Sequence, residues 1–445
     1  MSTGVSFQKE FMKIAVPVAL QGILQSSFSM VDQIMVGQLG EVSIAGIGLA
    51  GKFASLYSVL LSAIATVAGI LLAQYIGKQD EKEAGKSFYL NLCFASVLAI
   101  LFSAVCLAAP HKIMGVYTAD PDTQQAAVHY LVIISLGFLP RAFSLLCATL
   151  LRCKNHAAVP LYATVFNALL DTLLSYLLIF GKFGLPKMGI AGAAAATLIA
   201  QVAEFAIVCV SALQLHHKEK WKMPFSIGLT KERWHQYAGI LIPILVCEFF
   251  WSLGENVYAV IYGQLGTKSC AAMTLISPVV MLFMGLMGGV SQAAGILTGK
   301  RLGAREYGLA YQEAKKMMWY GLAGSVTLSV LLILLGRFYV CIYPVDGTVQ
   351  TTAFGLLVVF ALIAPVKVEN MILGGGIVRS GGKTNYIMIV DLIGTWIFGV
   401  PLGLTAAFVL KLPIVPVYLL LSLEECVRLA ITVWIFRKKK WMQEL

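Results

Sequence analysis

Val36-Gly37-Gln38-Leu39-Gly40 returns later in the chain as Tyr262-Gly263-Gln264-Leu265-Gly266. The register that pairs these stretches also pairs Pro17 with Pro243, an offset of 226 residues (243 − 17), and it runs on without a gap. Ser43 meets Ser269, Leu49 meets Leu275, Ala68-Gly69-Ile70-Leu71 meets Ala294-Gly295-Ile296-Leu297, and Gly77 meets Gly303. Arg152 meets Arg379 at an offset of 227 (379 − 152), a drift of one residue over half the protein. Apolar segments often match one another by chance, but loop glycines do not stay in register with helices that way. The chain therefore reads as a duplication.

The duplicated unit is a bundle of membrane helices. Of 445 residues 59% are hydrophobic and 12% charged, with a mean hydropathy of +0.82. That leaves too little polar surface for a water-soluble chain and excludes a soluble enzyme, a nucleic-acid binder and a secreted domain. At about 20 residues per crossing plus short loops, the length accommodates roughly a dozen spans. Charged and Gly/Pro breaks place six of them near residues 14–36, 44–75, 88–109, 127–149, 158–181 and 189–214. Six more follow near 237–262, 270–299, 316–343, 352–377, 385–410 and 413–436. The expected fold is an all-α polytopic membrane protein, with twelve transmembrane helices in two pseudo-symmetric six-helix bundles. Residues 1–215 form the N-lobe, 216–235 a charged linker and 236–445 the C-lobe. Because the repeat unit has six helices, both copies enter from the same side, a parallel repeat whose halves enclose a cavity and open it alternately by rocking. Met1 to Glu10 is polar, and no small-residue cleavage site follows the next apolar run, so no signal peptide is expected. The nine cysteines show no CxxC spacing and read as buried thiols.

The net charge of +11 is explained by topology. With an even number of spans, 23 Lys and Arg fall on the termini and even-numbered loops and 5 on the odd ones. Positive charge marks the cytoplasmic side, so both termini are expected in the cytoplasm, facing anionic membrane lipid, and no nucleic-acid partner is required.

Charges inside spans are costly and need a reason. Asp32 sits midway along the first helix. Asp171 in the fifth has Asn167 one turn earlier on the same face. If those helices are neighbours, the three side chains form an oxygen-rich cluster able to hold a monovalent cation such as Na+ or to share a proton. The alternative is a polar network that only joins two helices. The repeat positions of the two acids are Tyr258 and Phe398, so the halves have diverged. Helix 7 instead carries Glu248 and Glu255 on one face with Trp251 between them. With Tyr258 they make an acidic and aromatic stripe suited to organic cations, unless one of the acids merely snorkels to an interface. Asp391, with Thr395 one turn on, is a further candidate for the binding cavity. Glu369 lies two residues from Lys367, and Glu424 and Glu425 a turn from Arg428, which suggests internal ion pairs; Glu204 carries no clear signal. Gly374-Gly375-Gly376 reads as a close-packing or hinge feature. There is no Walker motif, no GxGxxG after a strand and no HExxH, so the sequence supports neither ATP-driven transport nor zinc proteolysis, and no catalytic residue or cofactor is expected.

Pro17, the string Val31-Asp32-Gln33-Ile34-Met35-Val36-Gly37-Gln38-Leu39-Gly40, and Asn167-Ala168-Leu169-Leu170-Asp171 followed by Gly189-Ile190-Ala191-Gly192-Ala193-Ala194-Ala195-Ala196-Thr197 carry a resemblance. Over essentially its whole length the chain resembles the multidrug and toxic compound extrusion (MATE) transporters of bacteria. The resemblance implies a V-shaped two-lobe fold and an N-lobe cation or proton site of Asp32, Asn167, Asp171 and Thr197. The best-known branch of that family has a C-lobe sodium site with a helix 7 glutamate and an aspartate after helix 10. Those positions are Trp251 and Lys383 here, which shifts the expected coupling to the N-lobe. The function implied is a monomeric secondary antiporter of the cytoplasmic (inner) membrane that exports cationic amphiphilic drugs and toxins against inward H+ or Na+. The alternative is a lipid-linked oligosaccharide flippase of the same superfamily. Those line their cavity with Arg and Lys, whereas the charges within the spans here are mostly acidic.

Overall fold

The computed structural model describes residues 2–184, 186–221, 223, 230–343 and 345–445. Lys222, one of the basic residues counted above, and residues 224–229 of the expected linker lie outside them. Among the described residues the chain is helical, without strands. The first half comprises α1 (Ser2–Gly37), α2 (Glu41–Gly77), α3 (Glu81–Ala108), α4 (Pro110–Tyr117), α5 (Pro121–Ser135), α6 (Phe138–Cys153), α7 (Ala158–Phe180) and α8 (Ile190–Lys218). The second comprises α9 (Lys231–Gln264), α10 (Thr267–Gly303), α11 (Tyr307–Cys341), α12 (Gly347–Asn370), α13 (Thr384–Leu392), α14 (Val400–Leu404), α15 (Ile414–Ser422) and α16 (Glu424–Lys438). α12 continues as a π-helical stretch, Met371–Val378, and two more, Ile393–Gly399 and Thr405–Val409, flank α14.

The repeat register is visible in the helix ends. α2 and α10 are each 37 residues long, and both their starts and their ends stand 226 residues apart. The repeated glycine that precedes each has left-handed backbone, φ +91° at Gly40 and +103° at Gly266, a conformation that a side chain would strain. Both halves thus turn between their first two helices with the same residue in the same conformation.

Ten helical segments among the described residues are long and apolar enough to cross a membrane, and α5 with α6, bent by 47°, makes an eleventh. The twelfth expected span, 413–436, is instead two short helices, α15 and α16, that break at Leu423. Glu424, Glu425 and Arg428, just after the break, are buried and paired inside the unit, so this segment does not present an unbroken apolar surface to lipid. The cysteines also differ from expectation: Cys93, Cys270, Cys341 and Cys426 are exposed. A free thiol behaves as a small apolar group, and sits as well on an apolar outer surface as inside.

The chain divides into two compact units, Ile23–Ile76 with Asp80–Thr230, and Met1–Gly22 with Gly77–Gln79 and Lys231–Leu445. The first half of α1 therefore packs with the C-terminal helices. Small residues allow it: a Cβ on Gly289 would lie 2.4 Å from the Ala19 nitrogen, and one on Gly22 would lie 2.6 Å from the Gly285 carbonyl oxygen. Where lipid is as apolar as the side chains, such close backbone approach supplies the packing energy. Gly376 of the triple glycine is likewise pressed on Ser291, where a Cβ would lie 2.6 Å from the carbonyl oxygen, so close packing is its role. At one end of this unit Lys78 and Arg305 clamp Glu444 at 2.9 and 2.7 Å, and Lys300 approaches Glu10 at 3.6 Å. Residues assigned to one side by the charge count thus meet at one end of the unit.

In the other unit Tyr57 is fully buried, stacks on Phe138 with ring centroids 4.3 Å apart, and gives its hydroxyl to the Phe138 carbonyl at 2.7 Å. The start of the linker is held here as well. Trp221 is buried, gives its indole N–H to Glu219 at 2.8 Å, and lies under the Lys154 ammonium.

Candidate functional site

The unit that contains residues 23–76 and 80–230 assembles the first candidate site from α1, α5, α7 and α8. α7 and α8 run side by side. The second half of α1 is seated on them by a buried cluster of Met35 and Val36 with Ile179 and Ala193. This seating brings Asp32 and Asp171, both half-buried, within electrostatic reach of each other and of the Tyr130 hydroxyl on α5. Thr197 and Ser175 flank the Asp171 carboxyl. Its Oδ1 is buried and makes no hydrogen bond of standard geometry among the described residues. A buried acceptor so placed, near a second carboxylate, is an arrangement that favours capture of a proton or a small cation.

Asn167 does not complete the cluster in the way expected. Its amide donates to Glu204 Oε2 at 2.5 Å, and the Thr164 hydroxyl donates to Glu204 Oε1 at 3.0 Å. Asn167 therefore ties α7 to α8 one turn from Asp171. Glu204, which carried no signal in the sequence, is the centre of that tie. The missed clue is spacing: Glu204 stands seven residues after Thr197, so the face of α8 that offers the threonine offers the acid too. Tyr130 had no mark in the sequence beyond being a span tyrosine.

The other unit holds the second set. A cavity of about 450 Å³ lies among α9, α10, α12, α15 and α16, and its walls include Glu255, Tyr258, Lys367, Tyr418, Glu424 and Glu425. Of the five side chains expected to bind substrate, Glu255 and Tyr258 line this cavity, and Glu248, Trp251 and Asp391 do not. Glu248 lies in the field of Arg379 and Asp391, and Trp251 is exposed on the surface of the unit. Asp391 accepts a hydrogen bond from the Cys247 thiol at 2.7 Å and approaches Arg428 at 3.7 Å. Thr395, one turn on, accepts from Arg428.

Arg428 is the hub of this network. It lies 3.4 Å from Glu424 and 3.9 Å from Glu425, as the spacing on α16 suggested. Glu424 also receives the hydroxyl of Tyr258. The pairing expected between Glu369 and Lys367 does not form. Two residues apart on a helix, they point to different faces. Lys367 turns to Glu425 at 3.7 Å, while Glu369 is buried with neither oxygen hydrogen-bonded.

Comparison with known proteins adds a family to this geometry. A profile described as MatE matches residues 17–177 and again 243–405, one match per copy of the repeat. The chain is 22% identical to "Uncharacterized transporter YisQ" of Bacillus subtilis (strain 168), covering 96% of this chain and 94% of that one. It is 24% identical to "Probable multidrug resistance protein NorM" of Agrobacterium fabrum, with 90% and 87% covered, and 23% identical to its namesake in Thermotoga maritima, with 98% and 93% covered. Among solved structures, a crystal structure of MATE in complex with MaL6 superposes with a TM-score of 0.88 at 16% identity, covering 97% of this chain and 96% of that one. The outward-facing conformation of a multidrug resistance MATE family transporter gives 0.85 at 17% identity, with 97% and 95% covered. At these identities the structures establish the fold.

Proposed function

The chain belongs to the MatE family of multi-pass membrane transporters, and on that premise we propose that it is a secondary antiporter, exporting cationic amphiphilic organic compounds from the cytoplasm while H+ or Na+ moves inward. The observation that carries the coupling is Asp32 near Asp171, with one buried Asp171 oxygen that makes no hydrogen bond of standard geometry among the described residues. Two carboxylates held together in a half-buried site repel unless a proton or cation joins them, so occupancy of the site is coupled to the conformation of α1, α7 and α8. Export of organic compounds is supported by the multidrug resistance relatives and by the acidic, tyrosine-walled C-terminal cavity. The parallel repeat supports alternating access by movement of the two halves, with both termini in the cytoplasm.

The test is reconstitution of the purified protein in liposomes, with efflux of an organic cation followed under a pH gradient alone and then a sodium gradient alone. Efflux driven by one of the two identifies the coupling ion. Efflux that ignores both gradients contradicts antiport.

A further inference from the structure

The ionic groups on the wall of the C-terminal cavity are not equally engaged. Glu424 holds the Tyr258 hydroxyl and faces Arg428, and Glu425 accepts the Asn370 amide at 2.8 Å. Glu255, exposed on α9, takes part in no hydrogen bond or ion pair among the described residues. Lys367, on α12, has 39% of its side-chain surface open, and its ion pair among the described residues is with Glu425 at 3.7 Å, beyond hydrogen-bond length. An ammonium group has three donors to place, and those of Lys367 make no hydrogen bond among the described residues. Glu255 and Lys367 feel each other across the cavity without touching. Free space of about 450 Å³ remains, within the usual range for small-molecule sites. The Tyr262 and Tyr418 rings, centroids 6.2 Å apart and steeply inclined, give it an aromatic wall.

An acidic cluster alone would suit a simple cation. A free carboxylate and an under-engaged ammonium that share one aromatic cavity suit a molecule bearing both charges. We infer that this cavity binds zwitterions: aromatic amphiphiles whose ammonium group meets Glu255 and whose carboxylate meets Lys367. The substrate role of the site rests on the antiporter reading above; the binding itself does not. A ligand that carries both charges gives each group a partner as it fills the cavity, whereas a ligand with one charge shields the other group from water without pairing it.

Three fluorescent ligands with the same body separate the charges. Nε-dansyl-lysine carries both, dansylcadaverine only the amine, and dansyl-6-aminohexanoic acid only the carboxylate. Titrated into the purified full chain, the first should bind about tenfold more tightly than either of the others, a difference of about 1.4 kcal/mol. Lys367→Met should bring dansyl-lysine down to the level of dansylcadaverine, and Lys367→Arg should preserve its advantage. Glu255→Gln should bring it down to the level of the carboxylate ligand. Equal binding of dansyl-lysine and dansylcadaverine by the unaltered protein, or a Lys367→Met protein that keeps the preference, overturns the inference, as does failure of all three to bind. If Lys367→Met does not purify as a monodisperse protein, the wild-type ratio and Glu255→Gln decide it. In liposomes, gradient-driven cation efflux without any zwitterion preference contradicts this inference alone. Zwitterion binding without any driven efflux contradicts the antiporter reading alone.

Discussion

Asn167 on α7 and Glu204 on α8 are joined at 2.5 Å, and the same carboxylate takes the Thr164 hydroxyl at 3.0 Å. The pair fixes the spacing of the two helices that present Asp171 and Thr197. Glu204→Leu would take from the Asn167 amide its acceptor on α8, at a cost of about 1–3 kcal/mol where that amide is desolvated. The expected result is a lower unfolding temperature in detergent than for Glu204→Gln, whose carbonyl oxygen still accepts. Equal stability of the two variants would mean that the bond does not hold the helices.

Arg428 serves Asp391, Glu424, Glu425 and Thr395 together. Removing one member of a buried ionic group strands the others, typically at about 3–5 kcal/mol. Arg428→Met should therefore give a poorly folded protein by size-exclusion chromatography, with Arg428→Lys intermediate. A monodisperse Arg428→Met protein with an unchanged melting temperature would contradict this.

Asp346 caps the start of α12, and the Lys268 ammonium at 2.6 Å together with Thr348 holds its carboxyl down to about 2. A carboxyl depressed on folding stabilises at pH above its ordinary value, and that stabilisation is lost as pH falls through the folded value. Corrected hydrogen exchange at residues 348–351 should thus stay constant from pH 8 to about pH 4 and quicken only on approach to about 2. Quickening already near pH 5 would show that the pair does not protect the cap.

The proposed orientation rests on the 23 to 5 distribution of basic residues. In a variant lacking reactive native thiols, a cysteine placed just after Lys218 should be labelled by an impermeant maleimide only from the cytoplasmic side, and one at Asp120 only from outside. Reversed labelling would reverse the inferred direction of export.

The fold was legible because the duplication left a 226-residue register that α2 and α10 obey at both ends, together with a glycine needed in left-handed conformation each time. The twelfth span was not, because the charges of α16 find partners on other helices that hydropathy alone cannot anticipate. Asp32 and Asp171 were legible as acids in apolar runs. Glu204 was not, since its meaning lies in Asn167 and Thr164 on the neighbouring helix. The sequence proximity of Lys367 and Glu369 misled, because two residues along a helix separate side chains to different faces. The cavity was half legible: Glu255 and Tyr258 lie on the expected stripe, but Lys367 arrives from a distant helix.

The central claim is that Asp32 and Asp171 bind the coupling ion. Asparagine at either position is neutral and polar, so the fold should survive while the site loses its charge. Gradient-driven efflux by Asp32→Asn and Asp171→Asn in liposomes, compared with the unaltered protein at equal reconstitution, is the direct measurement. The account predicts monodisperse proteins that have lost driven efflux and whose substrate binding no longer responds to pH or sodium. Efflux at near the unaltered rate by either variant would contradict it.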